Sequence, residues 1–203
     1  MKKIIISSNS SWNIVNFRRY LLQDLSNDYE IHVLIPENNF LDSINSIKNI
    51  HFHKLYLKPK NKTFIDNLKT IISFFILCIK IKPDFFLAFT IKPNILGLIA
   101  LFFLKVKIIL NFTGMGSLFT NKSFKFYKKI TTFVFKLLQA KIYYLIVQNN
   151  YDYRLFTINK IINKNKLFLI PGSGIDINYY KCSNSISKKK KYTFLFLSRI
   201  KFE

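Results

Sequence analysis

Lys2-Lys3-Ile4-Ile5-Ile6-Ser7-Ser8-Asn9-Ser10-Ser11-Trp12-Asn13 opens the chain, and its reading decides the fold. A short apolar run without alternation fits a strand buried on both faces, as in a parallel sheet. The rival is a secretory leader, but the run stops at Ser7, short of the roughly 7–15 residues that the apolar part of a leader needs. A polar loop over 8–13 follows, with Asn13 expected to cap the next helix. Ile14, Phe17, Leu21, Leu22 and Leu25 then recur at helical spacing.

Outward from this unit the same alternation repeats. Further strands are expected over 30–35, 50–57, 84–90, 107–112, 143–148 and 166–170. Helices are expected over 14–25, 39–48, 63–81, 123–141 and 150–159, with another opened by Pro93 and running through Leu104. In the second of these, Phe40, Leu41, Ile44 and Ile47 would share one face. Apolar strands separated by helices predict an α/β fold: a doubly wound, Rossmann-like parallel sheet covered on both faces, with right-handed crossovers. Such sheets bind ligands beyond the carboxyl ends of their strands, at the switch in strand order.

After Pro171 the character changes. Gly172-Ser173-Gly174 is a turn, a lysine-rich linker covers 183–191, and 192–198 reads as a new strand. The expected organisation is therefore a domain over 1–180, a linker over 181–191, and over 192–203 the first strand of a second, truncated domain.

Half of the 203 residues are hydrophobic and 17% are aromatic, which supports a packed core and excludes disorder. The formal charge of +22 rests on lysine, because only Arg18, Arg19, Arg154 and Arg199 are arginines. Lys, Ile, Asn and Phe are inflated together, the mark of an AT-rich genome, so the charge by itself selects no partner. An anionic membrane surface stays open as one; no nucleic-acid reader module is present, so nucleic acid is not expected. Cys78 and Cys182 stand far apart with neither metal nor disulfide spacing, which suggests a reducing, cytoplasmic setting. The apolar runs 71–79 and 95–104 are broken by Lys80 and Lys105, short of the roughly 20 residues that span a bilayer.

Three loops lie where ligands would. The 8–13 loop offers small polar residues at a helix start, where an anion fits; an ordinary capped turn explains it too, and without G-x-G-x-x-G a dinucleotide is disfavoured. Thr90-Ile91-Lys92-Pro93-Asn94 ends the fourth strand, and Lys92 reads equally as a phosphate partner or a solvated charge. Gly114-Met115-Gly116 permits close backbone approach or is a plain turn. His32, His51 and His53 lack the companions of a metal site and read as structural or exposed.

The order of the pieces is more specific than any one of them. Ser11-Trp12-x-x-x-Asn16-Phe17-Arg18, then 90–97, then Thr113-Gly114-Met115-Gly116, then Gln148-Asn149-Asn150-x-Asp152, then Pro171-Gly172-Ser173-Gly174-Ile175-Asp176 and finally Leu197-Ser198-Arg199 follow successive strands. This succession resembles the family-4 retaining glycosyltransferases of GT-B fold, and is similar to the branch that adds amino sugars to undecaprenyl-diphosphate-linked intermediates. The resemblance implies two Rossmann-like domains facing a cleft, of which this chain holds the N-terminal one. It implies transfer of a hexose or N-acetylhexosamine from a nucleotide-sugar donor to a polyprenyl-diphosphate-linked acceptor, in surface polysaccharide or glycan synthesis. It places Asn16, Arg18, Thr90, Lys92, Gly114 and Gly116 on the acceptor side of the cleft. Arg199 matches the arginine that contacts the donor diphosphate, a role suited to the guanidinium fork. No metal and no cofactor is implied. The family's second phosphate-binding lysine and its glutamate-rich donor motif lie past Glu203 in this alignment of pieces, and the histidine that many relatives carry near 90–92 is absent, so no catalytic residue is assigned. The expected location is the inner face of the cytoplasmic membrane, peripherally. With its second domain truncated the chain alone is expected to be inactive, and the alternative is a non-catalytic membrane-surface subunit that needs a separate donor-domain chain.

Overall fold

The computed structural model describes residues 1–37, 39–59, 63–114, 125–177 and 194–197. Seven strands form one sheet: β1 (Lys2–Ser7), β2 (Tyr29–Ile35), β3 (Ile50–Lys54), β4 (Phe85–Phe89), β5 (Lys107–Phe112), β6 (Ile142–Val147) and β7 (Leu167–Leu169). All pairings are parallel, in the order β3-β2-β1-β4-β5-β6-β7. The order reverses direction at β1 and β4, so the switch point lies between them. Ile5 and Ile6 are both fully buried, as the non-alternating run requires.

Five helices connect the strands among the described residues: α1 (Ser11–Leu25), α2 (Phe64–Ile81), α3 (Ile91–Ala100), α4 (Lys125–Leu138) and α5 (Asn150–Ile158). On one face of the sheet, Ile14 and Leu22 of α1 close over Ile4, Ile6, Val33 and Phe89. On the other, Phe74 and Cys78 of α2, Leu98 of α3, Phe135 of α4 and Phe156 of α5 close over Ile5, Phe86, Leu110 and Phe112. Each such fully buried side chain contributes about 1.5–3 kcal/mol relative to exposure. Burial pushes the Cys78 thiol up to about 12, which leaves it an inert member of this core.

Several expectations need correction. The helix expected over 39–48 is only a 3-10 turn, Leu41–Ser43, entered through Phe40 at φ 70°. A 3-10 turn aligns i with i+3, which suffices to bury Leu41 and Ile44 against α1 while Phe40 stays 60% exposed. The cap of α1 is Ser10, whose side chain accepts the Asn13 N–H; Asn13 is not the cap, and the helix starts at Ser11 rather than 14. α3 starts at Ile91, so Pro93 is its third residue, where a missing N–H is still harmless, and it ends at Ala100 instead of Leu104. The strands hold to within three residues of the expected bounds. The segment 192–198, expected to open a second domain, lies partly outside the described residues; within it Phe194 and Phe196 are 95% and 91% exposed.

α2 is apolar on two faces. Thr70, Phe74, Cys78 and Ile81 point inward at spacings of three and four. Ile65, Leu68, Ile72, Ile76 and Ile79 repeat similarly on the outside and are 46–65% exposed. Its start is tied down by Asp66, which receives the Tyr56 hydroxyl at 2.5 Å, the Thr63 hydroxyl at 2.6 Å and the Lys58 ammonium at 3.2 Å. These donors, Thr63 first, hold the Asp66 carboxyl well below the usual carboxylate range. No helix among the described residues is long and apolar enough to cross a membrane.

Candidate functional site

The carboxyl edge of the sheet carries a cleft of about 950 Å³ on the α1 side. Trp12, Asn16, Phe17, Arg18 and Arg19 of α1 form one wall, Leu87, Phe89, Asn111 and Ile146 of the sheet the floor, and 170–176 the far rim. The cleft exists because α1 covers only β1 to β4. Beyond it Tyr144 and Phe168, edge to face at 5.0 Å, remain 36% and 44% exposed. Another cavity, of about 550 Å³, opens at the amino edge between Lys2, Asp84 and Lys107. We assign the site to the carboxyl edge, because there the strand order switches and loops of different strands converge.

Arg18 dominates the cleft electrostatically. Its guanidinium carbon stands 4.0 Å from the Phe89 ring centroid, and the residue is 4% exposed. Among the described residues the acceptor in reach is the Phe17 carbonyl, to which Nη1 donates at 3.4 Å; Nε and Nη2 are buried without a partner. Burial draws its pKa down from 12.5 to about 10, so it remains a cation at neutral pH. Arg19 beside it also has a buried, unpartnered Nε.

Thr90 follows Phe89 at the end of β4. Its φ of 69° and ψ of 160° lie in a region populated almost only by glycine. It precedes α3 without capping it, and its Oγ1 is buried without a partner. One helical turn on, Asn94 is fully buried; Nδ2 donates to the Asn111 carbonyl at 2.9 Å and Oδ1 is unpartnered. Gln148 makes long contacts to Asn111 Oδ1 (3.5 Å) and Ser173 Oγ (3.4 Å), linking β5, β6 and the 172–174 loop.

The expected site residues are thus only partly assembled. Asn16 and Arg18 line the cleft, and Asn16 also donates to the Trp12 carbonyl at 2.9 Å. Thr90 adjoins it through Phe89. Lys92 does not line it: its ammonium donates to the Lys58 carbonyl at 2.7 Å, over the β3–α2 connection. Gly114 has φ 138° and open space where a Cβ would stand. Gly116 and Arg199 lie outside the described residues. The 8–13 loop does not present a bare helix start, because Glu37 Oε1 accepts from the Ser11 N–H at 2.9 Å. Arg19, Phe89 and Asn111 join the cleft without having been singled out, and the 172–176 rim joins it from the motif order, where it had no assigned site role. The run Gly172-Ser173-Gly174 after a strand signals the rim, with φ 75° and 72° at its glycines.

The histidines form a separate cluster on neighbouring strands. His32 Nδ1 lies 2.9 Å from His53 Nε2, His51 stacks on His32 at 5.1 Å, and Glu30 stands 3.0 Å from His32 Nε2. Among the described residues no group of His, Cys, Asp and Glu has the arrangement of a metal site.

Solved structures share this fold at low identity. MurG from Acinetobacter baumannii matches with TM-score 0.54 and 11% identity, over 87% of this chain and 46% of that one. Alr3699/HepE from Anabaena, solved with UDP-glucose, matches with TM-score 0.60 and 13% identity, over 91% and 47%. UDP-GlcNAc 2-epimerase from Methanocaldococcus jannaschii matches with TM-score 0.56 and 16% identity, over 84% and 45%. The chain spans a little under half the length of these structures, and the sheet is that of the N-terminal, Rossmann-like half of GT-B proteins. No curated protein matches it. The family model described as glycosyl transferase 4-like matches residues 3–149, from the first strand to the residue that caps α5, and on that match the chain belongs to the glycosyl transferase 4-like family.

Proposed function

We propose that this chain forms the acceptor side of a glycosyltransferase that moves a hexose or N-acetylhexosamine from a nucleotide sugar to a lipid-linked acceptor in surface glycan synthesis. The observation that carries the reading is the cleft at the carboxyl edge, where a buried cation meets apolar walls. An acceptor with an anionic group and a long apolar part suits such a lining. The family match supports sugar transfer. The UDP-glucose bound by the Anabaena relative supports a nucleotide-sugar donor. In this reading Arg199 contacts the donor diphosphate, and Thr90 and the 114–116 loop stand on the acceptor side, while Lys92 is held away at the Lys58 carbonyl.

The reading extends to an anionic membrane surface. The outer stripe of α2, from Ile65 to Ile79, is flanked by Lys54, Lys69 and Lys80. An exposed apolar stripe with lysines beside it suits contact with an anionic bilayer surface. The deciding experiment supplies the chain with a donor-binding domain, as a fusion or a second polypeptide, and incubates the pair with radiolabelled nucleotide sugars and polyprenyl-diphosphate-linked acceptors. Labelled lipid with at least one donor is expected; absence of label across the donor panel refutes the transferase reading.

A further inference from the structure

We propose that the cavity at the amino edge of the sheet is a second binding site, which takes the phosphate of a small phosphorylated organic molecule on Lys2, Lys82, Lys105 and Lys107. It stands apart from the carboxyl-edge cleft, and it goes beyond the transferase reading without resting on it. Strands of five or six residues separate the two. At about 3.3 Å per residue the sites lie roughly 15–20 Å apart.

Three separate stretches of chain bring the cations together. Lys2 stands at the start of β1, Lys82 in the connection from α2 to β4, and Lys105 and Lys107 where the chain enters β5. All four residues are exposed, and among the described residues none of them forms an ion pair with a carboxylate. The hollow between them measures about 550 Å³, the size of a small-molecule pocket. Its apolar lining comes from Cys78 and Ile79 of α2 and from Leu104 and Val106. Like charges around a concave wall of low dielectric reinforce one another's field in the hollow.

The acidic residue among the described lining is engaged by the backbone. Asp84 Oδ2 accepts the Lys3 N–H at 2.8 Å. The Asp84 N–H donates to the Lys3 carbonyl at 2.9 Å, and its carbonyl accepts the Lys107 N–H at 3.0 Å. Asp84 thus fastens β1, β4 and β5 at their amino ends and leaves the ammonium groups to a ligand. Lys107 is also oriented. Its Nζ lies 5.4 Å from the Phe85 ring centroid and 5.0 Å from that of Tyr143, contacts that steady a cation without using its N–H donors.

Cations near the end of α2 also offset its macrodipole, but that effect falls off within the last turn. It accounts for Lys80 and Lys82. It does not account for Lys2, on another element, or for Lys105 and Lys107, past the end of α3 at Ala100. Lys82 itself stands at φ 54° and ψ 61°, a left-handed position that ordinarily falls to glycine. Lysine ammonium groups are compact point charges with three donors each, suited to phosphate oxygens that approach from several sides. The apolar lining favours a phosphate carried on an organic body over the inorganic ion. A soluble phosphoester and a phospholipid headgroup present the same group to these lysines. Ile79 both lines the cavity and ends the outer stripe of α2, which gives an acyl chain a path along the helix; the experiment separates the two sources.

The 203-residue chain is titrated by calorimetry at constant ionic strength. The probes are inorganic phosphate, phenyl phosphate, and monomeric short-chain phosphatidic acid and phosphatidylcholine. The titrations are repeated with three variants: Lys105→Gln with Lys107→Gln, Lys82→Gly, and Lys48→Gln with Lys164→Gln, a pair outside the cavity that removes the same charge as the first. Wild type is expected to bind phenyl phosphate or phosphatidic acid more tightly than inorganic phosphate. The Lys105, Lys107 variant should lose about tenfold or more of that affinity, as when charge-assisted hydrogen bonds are removed. The Lys48, Lys164 variant should stay within about twofold of wild type, because distant exposed charges are screened. Lys82→Gly should bind more weakly yet melt no lower than wild type, since its φ suits glycine; it decides the matter if the Lys105, Lys107 variant unfolds. Phosphatidic acid binding more tightly than phenyl phosphate assigns the site to a lipid headgroup, and the reverse order assigns it to a soluble phosphoester. No binding of any phosphate probe, equal loss in the Lys48, Lys164 and Lys105, Lys107 variants, or phosphatidylcholine binding as tightly as phosphatidic acid overturns the proposal. Inorganic phosphate binding as tightly as either organic phosphate overturns it too. The titration contains no nucleotide sugar, so its outcome and that of the transfer assay are independent.

Discussion

Thr90→Gly should make the protein more stable, an unusual outcome for a substitution beside a binding cleft. The residue combines two unfavourable features: a β-branched side chain at φ 69° and ψ 160°, and a buried hydroxyl without a partner. A non-glycine residue in this region is strained by about 1–3 kcal/mol. An unsatisfied buried hydroxyl costs about 1–3 kcal/mol more, the lower end applying where the residue is only partly buried. Glycine removes both and raises the entropy of the unfolded chain, an opposing effect of about 0.4–1 kcal/mol. The net expectation is a gain of about 1–3 kcal/mol, and with about 2–4 °C per kcal/mol for a domain of this size the melting midpoint should rise by several degrees. Thr90→Ala separates the causes, since it drops the hydroxyl and keeps the strained Cβ. Thermal and urea unfolding should rank glycine above alanine and alanine above wild type. A glycine variant less stable than wild type would refute the reasoning, because the hydroxyl would then have to be engaged or the backbone unstrained. Strained residues concentrate where function holds them in place, so the same variant should use the acceptor less well in the transfer assay despite its added stability.

Gly97→Ala should act the other way. Its Cβ would come within 2.5 Å of Phe86 Cζ, and Phe86 is fully buried and locked edge to face on Phe74, so overpacking of about 1–3 kcal/mol should outweigh the roughly 1 kcal/mol gained in helix propensity; a lower urea midpoint checks this. Burial, and then the neighbouring imidazoles, lower the pKa values of His32 and His53 from 6.5. The unfolded chain therefore takes up protons first, so stability should be full above pH 6.5 and fall as the pH drops below it; a His32→Gln, His53→Gln variant should show a flatter profile between pH 7.5 and 5.5. Ile72→Asp with Ile76→Asp, on the outer stripe of α2, should abolish sedimentation with anionic liposomes and leave the melting midpoint nearly unchanged; undiminished sedimentation would move the membrane contact elsewhere.

The parallel sheet was legible in the sequence because a strand buried on both faces needs an unbroken apolar run, and Ile4-Ile5-Ile6 and Phe85–Phe89 supply it locally. Helix α2 was legible for the same kind of reason, its inner face repeating every three to four residues from Thr70 to Ile81. The region 39–48 was not, because Leu41 and Ile44 satisfy a 3-10 turn as well as an α-helix, and only the positive φ at Phe40 decides between them. Of the site, the motif order placed Asn16 and Arg18 on α1 and Thr90 at the end of β4, since each follows a strand and must reach the carboxyl edge. It could not tell that Arg18 is buried on Phe89 with two of its nitrogens unpartnered while Lys92, equally basic, turns to the Lys58 carbonyl. Nor could it find the cleft floor of Leu87, Asn111 and Ile146. Strand order and sheet coverage bring those residues together from positions far apart in the chain, and whether a charge is paired depends on neighbours that local sequence does not contain.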